Sequence, residues 1–471
     1  MLRQLLSYTA VAFLVQIVTG VLTKLVELFV VAEILSQAEL GAYRHFLLVL
    51  EVTAGLFIVG MDHSLVTYIH ARAGNLGRYL RFLLLYGGTV AAIFGLAALA
   101  LKGRVSVPTI LALVAVGPFV FMELGKIVFR SRLEKRAEFG FLLFQSLTWS
   151  LGCLVVLPRV QDELVPIWCA LAGTIPGAFM MAWIFTRRSR RENGKGPAPL
   201  RPFGPEYASL WRSWRPLWVA GLAFLGNQHV VNIVVDRSMT RADFGRWGFV
   251  LTALTLLQRP LLIVQRATLP IFSAAKEEIP DGFRKLVRIN LLLFPLLCLG
   301  VLTVWPLILS YGTLGEKYGD TWIYLALPVA VIPVMAVEFL AATASMALGH
   351  PKNNRDAHVL TVLINVPCSI LLIGHYGILG AALATALYVL IFASMIFRFV
   401  ARDLPDLVGF AVARLVPSLL GLWGAIYAMH VLGRPEVWGW IMMPSYVIWA
   451  RIVGLWSPSQ LVWVWQRIRR R

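Results

Sequence analysis

The sequence predicts an all-α polytopic membrane protein with about fourteen transmembrane helices: two parallel six-helix bundles around a central cleft, plus two C-terminal helices. Three observations lead there. Of 471 residues, 59% are hydrophobic and 14% charged, with a mean hydropathy of +0.75. A water-soluble domain with a solvated surface does not carry that balance. Apolar stretches of ~20 residues, long enough to cross the hydrocarbon layer as a helix, recur from end to end. Finally, the 43 Lys and Arg, against 24 Asp and Glu, fall mostly in the connectors of one side.

Taken in order, the apolar runs lie at 8–35, 41–62, 80–101, 108–129, 140–158, 164–186, 209–236, 243–266, 288–311, 322–349, 357–375, 377–400, 408–431 and 437–456. The first is too long for a cleavable signal and carries Lys24 and Glu27. The last is interrupted by Pro444 and Arg451, so a re-entrant or interfacial segment fits it as well. When the N-terminus and the even-numbered connectors are set on one side, and basic residues toward span ends are counted with the adjoining connector, 30 fall there, 8 fall opposite and 5 are left within spans. Basic residues accumulate on the cytoplasmic side, so both termini are expected there. The same asymmetry accounts for the net charge of +19 without nucleic acid as a partner. Cys153, Cys169, Cys298 and Cys368 fall inside apolar runs, without disulfide or metal-ligand spacing. The tail from Leu461 to Arg471 carries two Trp followed by four Arg, in the manner of an interfacial anchor.

The longest polar connector, 187–207, divides the core, and a gapless offset of 204 relates the two sides. Glu39-Leu-Gly41-Ala-Tyr43 aligns with Asp243-Phe-Gly245-Arg-Trp247, and Leu47, Leu50, Leu65 and Ala71 meet Leu251, Leu254, Leu269 and Ala275. Six spans per copy return the chain to its starting side, so the expected repeats are parallel. The expected division is 1–207, 208–403 and 404–471.

With these residues in view, the chain resembles the oligosaccharide and polysaccharide flippases of the multidrug/oligosaccharidyl-lipid/polysaccharide superfamily. The resemblance rests on Leu40-Gly41-Ala-Tyr43, on the loop Ala347-Leu-Gly349-His-Pro-Lys352-Asn353, and on Tyr376-Gly377-Ile-Leu-Gly380-Ala-Ala-Leu-Ala-Thr385. It covers about residues 1 to 400 and leaves the final two spans as a variable appendage. It implies an alternating-access transporter that moves a polyprenyl-pyrophosphate-linked oligosaccharide, an O-antigen or exopolysaccharide repeat unit, to the outer leaflet of a bacterial inner membrane. It implies no cofactor. The implied partners are the lipid-linked substrate, membrane lipids, and a polysaccharide polymerase with other assembly proteins.

Ionisable groups at bilayer depth cost about 2.5–3.5 kcal/mol unless paired or hydrated, so each needs a reason. Arg259, with Arg266 seven residues on, is the expected anion site, since a guanidinium forks two donors onto a phosphate. Pairing of Arg259 with a neighbouring carboxylate and snorkelling of Arg266 are the plainer readings. Span one carries the stripe Gln16, Thr23 and Glu27, with Lys24 set to contact the headgroup. Glu27 is its ion partner or a proton-coupling carboxylate. Arg44, near the outer end of span two, guides the headgroup or snorkels. Gln228 and Asn232 offer amides to sugar hydroxyls or to neighbouring helices, and Asp236-Arg237 reads as an interfacial pair. Glu338 has no basic residue within a turn and is the first choice for ion coupling. Glu123 and Lys126 read as an ion ladder beside a cytoplasmic gate, and Asp62 as a latch to Arg266.

No hydrolase, metalloprotease or nucleotide-loop motif is present, and the external connectors are short, which argues against an enzyme. Transport would then draw on an ion gradient, the membrane potential or the substrate's own gradient. The competing readings are a lipid II flippase, a cation-coupled multidrug exporter and a non-transporting component of a polysaccharide assembly complex.

Overall fold

The structure, a computed structural model, describes residues 15, 18–59, 76–131, 135–193, 205–274, 277 and 279–455. It is an all-α polytopic membrane fold. Helix α1 (18–34) contains a π-helical turn, Glu27–Val31. There follow α2 (Gln37–Ile58), α3 (Leu76–Leu101), α4 (Val107–Ser131), α5 (Lys135–Val160), α6 (Leu164–Asn193), α7 (Pro205–Ser238) and α8 (Arg241–Ala274). Then come α9 (Ile279–Leu309), the short α10 (Leu314–Tyr318), α11 (Thr321–Val329) and α12 (Ile332–Ala347). The chain continues through α13 (Pro351–Asp403), α14 (Pro405–Val431) and α15 (Pro435–Ile452). Ten described helices are long and apolar enough to cross a bilayer. One of them, Lys352–Asp403, holds two of the expected spans and breaks at Gly377, whose φ of 59° favours glycine. The ten therefore cover eleven expected spans. α1, α8 and the 18-residue α15 are outside the set.

The chain folds as two compact units, Met1–Thr252 and Ala253–Arg471. In the first, small residues let helices approach closely. A Cβ on Gly117 of α4 would stand 2.3 Å from that of Ala91 on α3, and one on Gly125 would stand 1.9 Å from Met181 Sδ on α6. The entry turn of α2 is fixed by a capping box, in which the Ser36 hydroxyl accepts from the Glu39 amide while the Glu39 carboxylate accepts from the Ser36 amide. Thr240 and Asp243 repeat half of this arrangement at the start of α8. The two entry turns then meet glycine on glycine. A Cβ on Gly41 would lie 1.9 Å from the Arg241 carbonyl oxygen, and one on Gly245 would lie 1.8 Å from that of Gln37. Gln37 and Arg241, like Gly41 and Gly245, are 204 positions apart, so the crossing is reciprocal under the repeat offset.

The second unit is built on α9, which packs against α12, α14 and α15, while α12 packs against α13. Its helices are rich in proline, and each proline removes the amide that would serve the carbonyl four residues before it. At two of these prolines neighbouring side chains supply the missing donor. Pro295 frees the Leu291 carbonyl, which accepts from Tyr446 Oη at 2.6 Å and Ser418 Oγ at 3.3 Å. Pro306 frees Leu302, which accepts from Trp322 Nε1 at 3.2 Å. The Val329 carbonyl, at the C-terminal end of α11, accepts from Cys298 Sγ at 3.5 Å. The last two helices, which lie beyond the region of family resemblance, pack closely on α9. Tyr446 and Ser418 bring α15 and α14 onto α9, and Gly439 lies so close to Thr303 that any Cβ there would overlap its hydroxyl.

Candidate functional site

The first unit contains a buried ionic cluster. Glu27 opens the wide π-helical turn of α1 and is 2% exposed. Such turns insert an extra residue and recur at functional sites. Lys24, one turn earlier, donates to Glu27 at 2.7 Å, and Arg44 of α2 pairs with the same carboxylate. Arg44 also donates to the hydroxyl of Thr252, which itself donates to the Gly248 carbonyl at 3.0 Å. The Arg44 side chain lies across Gly248, where a Cβ would come 2.5 Å from its Cγ. Gly248 is the repeat equivalent of Arg44, so the symmetric crossing admits one long side chain, and it belongs to α2. Arg44 Nε is buried with no hydrogen-bond acceptor among the described residues.

Glu51 of α2 extends the cluster. It lies seven residues beyond Arg44, is exposed, and acts electrostatically on both Lys24 and His229. It is absent from the sequence-based candidates, although it meets the same criterion that singled out Arg44. His45 is absent from them too. Its Nδ1 lies 2.9 Å from both carboxylate oxygens of Asp236 and its Nε2 lies 2.8 Å from Thr109 Oγ1, joining α2, α7 and α4. Because a carboxylate only accepts, the Nδ1 proton is placed toward Asp236. Asp236 also pairs with Arg241, so its partners come from other helices and not from the adjacent Arg237.

The remaining sequence candidates are dispersed. Asn232 accepts from the fully buried Trp247 indole at 2.9 Å, which commits its carbonyl to helix packing. Gln228 is exposed on α7. Lys126 pairs with Glu123 one turn earlier within α4. Arg259 is half-buried on α8 in the second unit. Glu338 of α12 is 2% exposed, and its Oε2 has no hydrogen-bond partner among the described residues. Asp62, Gln16 and the side chain of Arg266 lie outside the described residues, as does the suggested latch. Among the described residues no group of three or more His, Cys, Asp or Glu is placed to hold a metal ion.

The fold is shared with solved structures of membrane transporters. The lipid II flippase MurJ, in an inward closed conformation, superposes with a TM-score of 0.71 at 12% identity, covering 95% of this chain and 98% of that one. An inward-facing multidrug resistance MATE family transporter gives 0.64 at 14% identity over 83% of this chain and 95% of its own. A superfamily transporter from Pyrococcus furiosus, described by a reversed polarity of its binding pocket, gives 0.58 at 15% over 86% and 95%. No family model matches the sequence. No curated protein matches it either.

Proposed function

We propose that the protein is a flippase for a polyprenyl-pyrophosphate-linked oligosaccharide, carrying an O-antigen or exopolysaccharide repeat unit across a bacterial inner membrane with both termini cytoplasmic. The observation that carries this reading is Glu27, a buried carboxylate that bridges two cations. Glu27 holds the place of a substrate anion. Lys24 and Arg44 are preorganised by it, and a pyrophosphate exchanges for it with bidentate donors from Arg44. Neutralising Glu27 releases both cations, which makes it the ion-coupling carboxylate on the substrate side, with Glu338 as a second, separate one. Gln228 and the amide nitrogen of Asn232 supply sugar contacts, Arg259 and Arg266 a second anion site, and Glu123, Lys126 and Asp62 the gate. Polymerase and other assembly proteins are the partners that would take the delivered saccharide.

The test is protein-dependent movement of a fluorescent prenyl-pyrophosphate oligosaccharide in proteoliposomes. Arg44→Ala is expected to slow it at least about tenfold, the loss of one charge-assisted contact, and Glu27→Gln to abolish its dependence on an imposed proton gradient. If properly folded protein moves no prenyl-linked sugar under any gradient, the reading fails. A second reading, a lipid II flippase, is favoured by the likeness to MurJ over nearly the full length of both chains. Offering both substrates to the same vesicles separates the two readings.

A further inference from the structure

Away from the ionic cluster of the first unit, the second unit gathers three arginines around one phenyl ring. Arg284 and Arg288 lie one turn apart on α9, and Arg414 lies one turn beyond Phe410 on α14. Their guanidinium carbons stand 6.0, 5.5 and 5.9 Å from the Phe410 centroid. Arg414 is anchored by donating to the Val453 and Gly454 carbonyls at the end of α15, at 3.0 and 2.7 Å. Arg288 is half-buried, and its Nε has no acceptor among the described residues. Asp281 stands 4.0 Å from Arg284, with both side chains exposed. Among the described residues no carboxylate pairs with Arg288 or Arg414.

An aromatic ring attracts a cation over its face but cannot neutralise three. Basic residues that only fix topology are free to diverge into water, whereas these converge on one point between helices. Three guanidinium groups gathered beside one ring, on helices of a membrane fold, suit the phosphate of a lipid headgroup. Basic pockets between transmembrane helices on the cytoplasmic side hold anionic headgroups in this way.

We infer that Arg284, Arg288 and Arg414, gathered by Phe410 where α9, α14 and α15 meet, form a binding site for the phosphate of an anionic phospholipid. The site is independent of whatever the protein carries. Its test uses the full chain in detergent, titrated with phosphatidylglycerol, phosphatidylcholine or inorganic phosphate, with bound lipid counted by native mass spectrometry and the thermal midpoint followed in parallel. Phosphatidylglycerol is expected to bind and stabilise, and the other two are not. Arg288→Gln makes a sound probe because its Nε has no hydrogen bond to lose, and Arg284→Gln is a second on an exposed position. Each is expected to weaken phosphatidylglycerol binding about fivefold, and the pair about 25-fold, while leaving the lipid-free midpoint unchanged. Equal binding of the two lipids overturns the site as a set of topology determinants only. Equal stabilisation by inorganic phosphate overturns the lipid in favour of a free anion. Undiminished preference in the folded double variant overturns the residue assignment.

Discussion

At the residue scale, Glu27 is the side chain on which the buried cluster depends. Removing one partner of a buried ion pair strands the other, at a cost of about 3–5 kcal/mol. Here it would strand two, since Lys24 and Arg44 share the carboxylate. Glu27→Gln is therefore expected to lower unfolding stability by about 3 kcal/mol or more, and Lys24→Met in the same chain to restore a substantial part of it. A double-mutant cycle on denaturant unfolding measures this, and strictly additive losses would show that the two residues do not share a charge balance. The adjacent Gly248 carries a related expectation. A Cβ there meets Arg44 Cγ at 2.5 Å, so Gly248→Ala should cost about 1–3 kcal/mol by overpacking and should disturb the Arg44–Glu27 contact. If Gly248→Ala in an Arg44→Ala background costs the same as it does alone, the packing account is wrong. The cluster was partly legible in the sequence because an acid and two bases at bilayer depth demand partners. The choice of partner was not legible, because Arg44 reaches Glu27 through a helix crossing and not through spacing along one helix.

At the element scale, two devices position the helices. The first is the reciprocal glycine crossing of α2 and α8, where the clash partner of each new Cβ is a backbone carbonyl that no side-chain rotamer relieves. Alanine at Gly41 or Gly245 forces the helix entries apart. Each substitution is expected to cost more than Gly248→Ala, whose clash is with a movable side chain, and the ranking of thermal midpoints checks it. The turn itself was readable from the 204-residue offset, but its contact with its own copy became visible only in three dimensions. The second device is the pairing of proline-freed carbonyls with donors on neighbouring helices, which matters because an unmet carbonyl in hydrocarbon costs several kcal/mol. Tyr446→Phe removes the 2.6 Å bond to Leu291 and is expected to cost about 1–2 kcal/mol. In a Pro295→Ala background the amide restored at that position serves the Leu291 carbonyl, so the same substitution should cost measurably less. Equal costs in the two backgrounds would mean that the phenol does not compensate for the proline. From the sequence the prolines were visible only as breaks, since their partners lie as far away as residue 446.

At the scale of the whole molecule, the fold was legible because hydrophobic length is a property of segments and survives uncertainty about any single contact. Even the break inside α13 was readable, since the boundary between the expected spans at 375 and 377 falls beside Gly377. What escaped was whether segments of equal hydropathy lie at the edge or in the core. Residues 404–471 look dispensable when the repeat is taken as the whole machine, yet α14 and α15 both pack on α9 and on each other. Ser418 and Tyr446 are buried, and they complete the Leu291 carbonyl together. A chain ending at Asp403 would expose that carbonyl and the Thr303 face of α9 to lipid, and would leave Trp322 without the stacked His430 ring now 5.8 Å away. The expected outcome is loss of a stable second unit. With a fluorescent fusion after Asp403, detergent extracts should elute aggregated in size-exclusion chromatography, while the full-length fusion elutes as a single sharp species. Co-expression of 404–471 as a separate fragment should recover part of that peak, because the docking contacts are between helices and do not depend on the connecting peptide bond. A truncated chain that elutes sharply and melts at the full-length temperature would show that α14 and α15 ride on the surface, and that the Leu291 carbonyl finds its donors elsewhere.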